Sequence, residues 1–480
     1  MLLLLGIVLL ALIGVPLSSL FGISSLILFF GLPEGGWSAV AVDVFGVKFA
    51  ENPTLVTIPL FTFAGYTLAK AKTPERLVEL SRAWLGWMPG GLAVVCLMAS
   101  AFFTTFTGGS GITIVAVGGL LLPSLVREGY PRSFAMGLVT TSGSLGLLFP
   151  PSVPLILYGI IGGLVMDKLL VAGLIPGIVV MFALWVYGAM ASTRADVPRH
   201  RFQLSRALRA LWVAKWELAI PLVLIGGMAL GILRVHEASA FTALYVLVIE
   251  VFIYRDISIA RDLPKVVVES MTLVGVILLI MATALGFNGW MVQAEVANHL
   301  LAWMDSVVHS KILFLLMVNL VLLVVGMLMD IFTAIVVVVP LIIPMATHYG
   351  VDPYHMAVIF LLNLEIGYLT PPVGLNLFIS SVRFNEPVTS VYRTVVPFIG
   401  VLLVALAAVT YVPILTTWLP SKIAVEDEAQ SLSGGYMTDE ALNKLGIATN
   451  DGGIVTAEGE DYGLIDDEPK SGGADGLRDP

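Results

Sequence analysis

Apolar runs close to the length of a membrane span alternate with short polar connections along most of the chain. A helix needs about 20 apolar residues to cross the hydrocarbon core of a bilayer. Runs of this kind occur at residues 2–30, 91–106, 169–190, 218–233, 270–287, 312–329 and 394–415. The pattern predicts an all-α polytopic membrane protein.

Two of the apolar regions are interrupted by the same breaker residues at a constant offset. The sequence GLLFPP begins at Gly146, and GYLTPP begins at Gly367, 221 residues later. The same offset places Pro123 on Pro344 and Gly129 on Gly350. Because an ordinary membrane helix has no reason to stop twice in succession, the pattern predicts duplicated broken helices, which are typical of secondary transporters.

The duplication divides the chain into two comparable halves and a tail. The first half is predicted at 1–192, with a hairpin and broken helix at about 100–165. A basic loop with a helix pair follows at 193–265. The second half is predicted at 266–420, with a hairpin at about 311–346 and a broken helix at about 355–383, and the tail at 421–480.

A short amphipathic segment precedes the first hairpin. Residues 73–86 combine charged side chains such as Arg76 and Glu79 with Leu77 and Leu80. Pro74 favours a helix start here, with Thr73 as the cap. This predicts a helix that lies in the headgroup region.

Charge is distributed unevenly. Residues 421–480 contain 14 Asp or Glu and 4 Lys or Arg, so the tail accounts for the net charge of −9 and the rest of the chain is close to neutral. The acidic, Gly- and Ser-rich tail is predicted to be disordered. Basic residues concentrate at 194–215 and recur at 255–265, which places both connections on the cytoplasmic side, whereas 293–309 fits the outer face.

The composition excludes most other classes. Charged residues make up 12% of the chain and hydrophobic residues 58%, with a mean hydropathy of +0.95, and soluble domains carry about twice that charged share. No nucleotide-binding GxxxxGK loop and no HExxH motif occur, and Cys96 is the only cysteine. We therefore expect a protein that is not an enzyme, has no cofactor and binds no nucleic acid.

The breaks carry the candidate chemistry. Backbone that leaves the helical pattern inside a bilayer is buried in protein or lines a cavity. Its carbonyl groups suit a hard cation, and helix N-termini suit a carboxylate. The first break offers glycines and hydroxyls at 107–111 and at Ser142 and Ser144, and the second offers Thr370 and Asn376.

Two acidic residues lie within predicted spans, where charge is costly and often functional. Asp330 lies at the second hairpin tip, where it either binds a cation or accepts backbone N–H bonds. Glu365 precedes the second Pro-Pro pair and is either part of a site or a protonated carboxyl group that is only hydrogen-bonded.

At these residues the chain resembles the large membrane subunit of tripartite ATP-independent periplasmic (TRAP) transporters, the DctM type. The similarity covers about residues 1–420. The segments that carry it are 129–130, 144–159, 326–330 and 364–378, with further similarity at 58–61 and 90–93.

The resemblance implies an inverted-repeat, elevator-type ion transporter fold with two re-entrant hairpins and a scaffold domain. It also implies sodium-coupled uptake of a small organic acid in the cytoplasmic membrane of a bacterium or archaeon. The implied partners are a small four-helix membrane subunit (DctQ type) and a periplasmic substrate-binding protein (DctP type), which would deliver the acid.

The resemblance further implies two sodium sites, each joining one hairpin tip to one break. The candidate sodium ligands are Thr107, Gly108, Ser110, Gly111, Gly146, Pro150, Asp330, Thr370, Pro371, Gly374 and Asn376. The candidates for substrate contact are Ser142, Ser144 and Asn363.

Three alternatives stay open from the sequence. The nearest is a stand-alone ion-coupled dicarboxylate or citrate symporter of the same architecture. A gated channel and a structural membrane scaffold are the others, and polar breaks at membrane depth argue against both. The substrate is not specified, because the binding protein performs most of the selection in tripartite systems.

Overall fold

The computed structural model describes residues 17–30, 53–198, 201–229, 233–422, 449–450 and 453–454. The chain divides into a helical unit, Met1–Pro420, and a second unit, Ser421–Pro480. The predicted disorder of the tail and the first part of the apolar run at 2–30 fall outside the described residues, apart from the four residues at 449–450 and 453–454.

The helices of the first unit are numbered here in chain order. They are α1 (Leu17–Phe30), α2 (Thr57–Lys70), α3 (Thr73–Leu85), α4 (Gly91–Thr107), α5 (Ser110–Arg127, with a π turn at Ile114–Gly118), α6 (Arg132–Ser142), α7 (Val153–Gly162), α8 (Met166–Ala172), α9 (Leu174–Arg194), α10 (Leu204–Val213), α11 (Lys215–Ala229), α12 (Val235–Val248), α13 (Leu263–Gln293), α14 (Val296–Asp305), α15 (Lys311–Leu328), α16 (Ile331–His348), α17 (Pro353–Gly367), α18 (Leu375–Phe384) and α19 (Val388–Tyr411).

Seven helical stretches in the described part of the chain are long and apolar enough to cross a membrane. The number rises to eight if α6 and α7, which are bent by 43° at the break between them, form one span. The only strands in the described ranges are a short antiparallel pair in the second unit, β1 (Thr449–Asn450) and β2 (Gly453–Ile454). The prediction of an all-α polytopic membrane protein is therefore confirmed.

Both repeats have the same order of elements. A hairpin (α4–α5 or α15–α16) is followed by a helix, an unwound break and a second short helix (α6–α7 or α17–α18). Each hairpin is followed by a glycine in the left-handed region, Gly129 with φ +98° and Gly350 with φ +67°. The bonds Pro150-Pro151 and Pro371-Pro372 are both cis. The residues at the 221-residue offset thus occupy equivalent places in the fold.

Helix α17 lies at the centre of the two repeats. Every residue from His355 to Gly367 is buried, and the helix packs against α15, α16, α19 and the first break. A separate layer contains α1, α2, α12 and α13, in which Phe21 of α1 packs on Phe287 of α13 with ring centroids 5.6 Å apart. Helix α13 packs against α1 and α2 of this layer and also contacts α16 of the second hairpin.

The amphipathic segment forms α3, and its charged face is partly buried. The Arg76 guanidinium contacts three carboxylates: Glu217, Asp256 at 2.6 Å and Glu250 at 3.0 Å. Burial alone would lower the pKa of the Arg76 guanidinium, but the hydrogen bond to Asp256 and the charges of Glu217 and Glu250 outweigh burial and raise that pKa. The predicted capping role of Thr73 is wrong, because its hydroxyl donates to the buried Glu250 carboxylate at 2.7 Å instead.

Helix α3 also shows that the two basic connections lie on one side of the molecule. Arg206 from the first connection contacts Glu79 at 2.6 Å, and Asp256 from the second accepts a bond from the Lys72 N–H at 3.1 Å. This shared side agrees with a common cytoplasmic location for both connections, which stays a prediction.

Candidate transport site between the hairpin tips

The first hairpin turns at two glycines. Helix α4 ends at Thr107, Gly108 has a left-handed φ of +63°, and α5 begins at Ser110. A Cβ atom on Gly108 would lie 2.8 Å from the Cβ of Val153, so both the backbone angle and the neighbour require glycine. The first tip therefore lies against the start of α7, directly after the first break.

The second hairpin turns at a capped aspartate. Asp330 precedes α16, and its carboxylate accepts bonds from the N–H groups of Phe332 at 3.0 Å and Thr333 at 3.1 Å. It also accepts a bond from the Thr333 hydroxyl at 2.5 Å. Of the two roles that the sequence left open for Asp330, the structure shows the capping role, which leaves its binding of a cation a prediction.

The carbonyl groups freed at the first break face the first hairpin. The break contains a 3-10 turn at Leu145–Leu148. The Thr104 hydroxyl donates to the Gly143 carbonyl at 2.7 Å, and the Thr105 hydroxyl donates to the Gly146 carbonyl at 3.2 Å. The Gly146 carbonyl also accepts a bond from the Phe149 N–H at 3.1 Å, so it takes part in both the hairpin attachment and the 3-10 turn.

The second break is held to the second hairpin by backbone groups. The Gly374 N–H donates to the Met327 carbonyl at 3.3 Å, and the Asn376 N–H donates to the Tyr368 carbonyl at 3.2 Å. Gly374 has a φ of +43°, a backbone angle that side chains rarely permit. The two breaks are therefore attached in different ways, the first through hydroxyls and the second through amides.

Equivalent glycines allow the hairpins and the broken helices to touch backbone to backbone. A Cβ on Gly367 would lie 2.6 Å from the Gly326 Cα. A Cβ on Gly146 would collide with the carbonyl of Ala101 and the amide of Thr105. This close approach explains why both breaker motifs begin with glycine.

The two repeats interlock, because each hairpin packs on the broken helix of the other repeat. Arg383 of α18 donates to the Val115 carbonyl of the first hairpin at 3.0 Å. Gly162 of α7 lies against Ile343 of the second hairpin. The tips and both breaks therefore form one continuous block rather than two separate sites.

A cavity of about 320 Å³ lies between the two tips. Residues 108–112 of the first hairpin and 330–332 of the second contribute to its lining. Its remaining lining residues are Tyr66 of α2, Leu147, Tyr368, Leu375 and Ile379 of the repeats, and Leu273, Val276, Ile277 and Ile280 of α13. The space is thus lined by both repeats and by apolar residues of α13.

Four of the predicted sodium ligands line this cavity: Gly108, Ser110, Gly111 and Asp330. The others do not line it and lie at the end of α4, within the breaks or at the start of α18, namely Thr107, Gly146, Pro150, Thr370, Pro371, Gly374 and Asn376. Their binding of sodium stays a prediction.

The predicted substrate contacts Ser142, Ser144 and Asn363 are fully buried and are not among the residues that line this cavity, and their contact with a substrate stays a prediction. The Ser142 hydroxyl pairs with that of Ser100 at 3.0 Å. The Asn363 amide donates to Asn319 of α15 at 2.6 Å. Ser142 and Asn363 therefore bond to side chains of neighbouring helices.

Sequence reasoning missed two contributors to the site. The Tyr368 hydroxyl accepts a bond from the first N–H of α16, that of Ile331, at 2.5 Å and so joins the second break to the second tip. The second contributor is the α13 wall. Tyr368 lies inside the GYLTPP motif, so its position in the sequence could have identified it as a residue of the site. The apolar sequence of α13 has no motif that would have done the same.

The two tips differ in how the helix that starts at each of them is capped. Among its described lining residues Asp330 is the only acidic one, and none is Lys, Arg or His. The start of α5 has no side-chain cap, since its cap residue is Gly109. The start of α16 is already bonded to Asp330 and Tyr368. The N–H groups at the start of α5, which no side chain caps, and the helix dipole therefore favour an anion at the first tip.

Comparison with known proteins identifies the family of this fold. The family model for the DctM component of the tripartite ATP-independent periplasmic transporter matches residues 4–415. The C4-dicarboxylate TRAP transporter large permease protein DctM of Pseudomonas aeruginosa is 33% identical over 384 residues, which cover 80% of this chain and 89% of that protein. The isethionate TRAP transporter permease protein DctMQ of Oleidesulfovibrio alaskensis is 33% identical over 83% of this chain and 65% of its own length.

The fold is also found in a solved structure. The YdaH transporter of Alcanivorax borkumensis matches 84% of this chain and 96% of its own chain, with a TM-score of 0.60 at 14% identity. The match over nearly the whole helical unit, together with the relatives above, shows that this chain belongs to the DctM family of TRAP transporter large permease subunits.

Proposed function

We propose that this permease subunit imports a small organic acid by sodium-coupled secondary transport, and that the acid binds between the hairpin tips. The observation that carries the proposal is the cavity itself, which is lined by both hairpin tips and, on one side, by α13. Secondary transporters bind their substrates near the membrane midplane, at the interface between repeats and next to broken helices.

The first tip supports an anionic substrate. Its uncapped N–H groups at the start of α5 are the donors that a carboxylate needs, and no acidic side chain competes for them there. The relatives' names support the same class, since a C4-dicarboxylate and isethionate are both organic anions. We assign the carboxylate of the substrate to this tip.

Sodium ions would balance the charge of the acid, because the described lining of the cavity holds no basic side chain. The two proposed ion sites lie behind the tips. The first uses oxygens near Thr107 and Gly146, and the second uses oxygens near Asp330 and Asn376. Occupied ion sites would hold the tips in the geometry that binds the acid, which couples the two solutes.

An elevator movement would carry the interlocked repeats along α13. The α13 residues that face the cavity are Leu273, Val276, Ile277 and Ile280. The α13 hydroxyls of Ser270, Thr272 and Thr283 donate to carbonyls of α13 itself. An apolar face whose polar groups are satisfied within its own helix can slide without losing hydrogen bonds. The small four-helix subunit and the periplasmic binding protein complete the proposed system in the cytoplasmic membrane.

The proposal is tested by uptake into reconstituted vesicles that contain this chain, the small subunit and the binding protein loaded with its acid. Uptake should collapse when external sodium is replaced by potassium at constant pH. Uptake that continues under a proton gradient alone would remove sodium from the mechanism. Uptake by vesicles that contain this chain without either partner would support the stand-alone symporter instead.

The ion sites are tested separately by removing single oxygen ligands. Ser110→Ala and Asn376→Ala should raise the sodium concentration needed for half-maximal uptake, because each removes an oxygen from a proposed site. Ser306→Ala is the matched control, since Ser306 is exposed and its hydroxyl bonds to the nearby Trp303 carbonyl. An unchanged sodium dependence in both variants would exclude these residues as ligands.

A further inference from the structure

We propose that Glu365 is a proton-binding site at the junction of the two repeats, and that its carboxyl group is neutral in the conformation described above. Glu365 lies in α17, and its exposed fraction is 0%. Neither carboxyl oxygen makes a hydrogen bond of ordinary geometry. An ionised carboxylate without a partner is strongly disfavoured in such an interior, whereas the neutral acid is tolerated.

The groups beside Glu365 come from both repeats. The Ser144 hydroxyl of the first break is its polar neighbour, and the Asn376 amide of α18 donates to the same hydroxyl at 3.5 Å. The Asn376 carbonyl oxygen is also buried without a partner. The two Glu365 oxygens and the Asn376 carbonyl oxygen are thus acceptors that are buried without a donor, and a proton on Glu365 would supply one donor among them.

No charged side chain in the described part of the chain is paired with Glu365. The charged or ionisable residues on the helices around α17 lie near helix ends, namely Asp167, Lys168, Lys311, Asp330, His348 and Arg393. The buried ionisable groups have other neighbours: Tyr158 packs on Phe360, Tyr368 binds the start of α16, and His355 pairs with Thr416. The polar side chain beside the Glu365 carboxyl group is that of Ser144.

A proton fits this position better than a metal ion because the surrounding space is filled. The helix around Glu365 is buried on every side, and the backbones of Gly326 and Gly367 are in direct contact next to it. Glu365 does not line the cavity between the tips. A hard cation needs several oxygen ligands around an open volume, whereas a proton needs none.

The consequence is a pH-dependent junction. When Glu365 loses its proton, an unpaired negative charge lies where Ser144 and Asn376 join the repeats, and this charge opposes their contact. Uptake should therefore fall on the alkaline side, by about tenfold for each pH unit once deprotonation dominates. Only this uptake readout rests on the proposed function, and the spectroscopic test below is independent of it.

Infrared difference spectroscopy of the purified full chain tests the protonation state directly. The wild-type spectrum minus that of Glu365→Gln at neutral pH should show the carbonyl stretch of a protonated carboxylic acid. A carboxylate band in its place would overturn the proposal. If Glu365→Gln does not fold, Ser144→Ala replaces it, and the acid band should then change frequency because its polar neighbour is lost. An acid band that is absent, or that is unchanged by Ser144→Ala, would overturn the proposal in that case.

The pH profile of uptake in the reconstituted tripartite system tests the consequence. Glu365→Gln, which mimics the neutral acid, should transport at neutral pH and lose the alkaline fall. Glu79→Gln is the matched control, since Glu79 is exposed and pairs with Arg206, and it should keep the wild-type profile. An unchanged alkaline fall in Glu365→Gln would overturn the proposal. So would an inactive Glu365→Gln that melts like the wild type, because transport would then require the ionised group.

Discussion

Replacing Gly367 by alanine tests the backbone contact that positions the second hairpin. The new Cβ would lie 2.5 Å from the Gly326 carbonyl carbon, whereas ordinary van der Waals contact begins at 3.4 Å. Because both partners are backbone, α15 and α17 must separate by about 0.9 Å, the difference between these values. Overpacking of this kind costs about 1–3 kcal/mol, and the better helix propensity of alanine offsets about 0.5–1 kcal/mol.

The same displacement should affect transport more than stability. Gly326 lies four residues before Asp330, so a shift of the α15 backbone moves the tip that closes the cavity. Misplacement of about 1 Å in a preorganised site can lower its efficiency by about 100-fold. We therefore expect Gly367→Ala to fold with a lower melting temperature and to lose most of its uptake. Gly146→Ala, at the equivalent position of the first repeat, should behave in the same way.

The assay compares the melting temperature in detergent and the uptake rate in vesicles with those of Gly400→Ala. Gly400 lies inside α19, and an added Cβ there meets no atom within 4 Å. The control variant should be as stable as the wild type or slightly more stable. If Gly367→Ala melts and transports like Gly400→Ala, the close approach of α15 and α17 does not hold the tip, and the reasoning is refuted.

Two further pairs of substitutions separate structural from functional charge. Asp330→Asn keeps a good helix cap and removes the charge, while Asp330→Ala also removes the cap and should cost a further ~1 kcal/mol of stability. If Asp330 binds sodium, Asp330→Asn should have the melting temperature of the wild type but need a higher sodium concentration for half-maximal uptake. If the sodium dependence of Asp330→Asn equals that of the wild type, Asp330 only caps the helix. Arg76→Met should destabilise the protein by about 3–5 kcal/mol, because it leaves the buried Glu217 and Glu250 without their cation, and lower pH should restore part of the loss. Arg206→Met is the control, because Arg206 forms an exposed pair with Glu79, and it should change the melting temperature little. Equal melting temperatures for Arg76→Met and Arg206→Met would contradict this account of α3.

Much of the architecture follows from the order of residues along the chain. Apolar length and breaker positions predict a second hairpin at 311–346, and α15 and α16 cover Lys311–His348. The 221-residue offset finds glycines that share a left-handed backbone angle in both repeats. These features are local, since the length of an apolar run and the conformational limits of Gly and Pro act within a few residues.

Side-chain direction could not be predicted in the same way. Asn363 and Glu365 lie two positions apart on α17, yet one bonds to Asn319 of α15 and the other lies beside Ser144 of the first break. Which face of a buried helix meets which neighbour depends on contacts between distant segments. A uniformly apolar sequence carries little information about those contacts.

The sequence by itself determined the class of protein, the duplication, the places where the helices break and the residues that give the breaks their polar character. Only the tertiary structure decided which of these residues meet. It placed Ser110 and Asp330 across one cavity, buried Ser142 and Asn363 between helices, and left the Glu365 carboxyl group without a partner at the junction of the repeats. The physical reason is that hydrophobic length and backbone limits are properties of single segments, whereas a binding site is formed where segments far apart in the chain pack together.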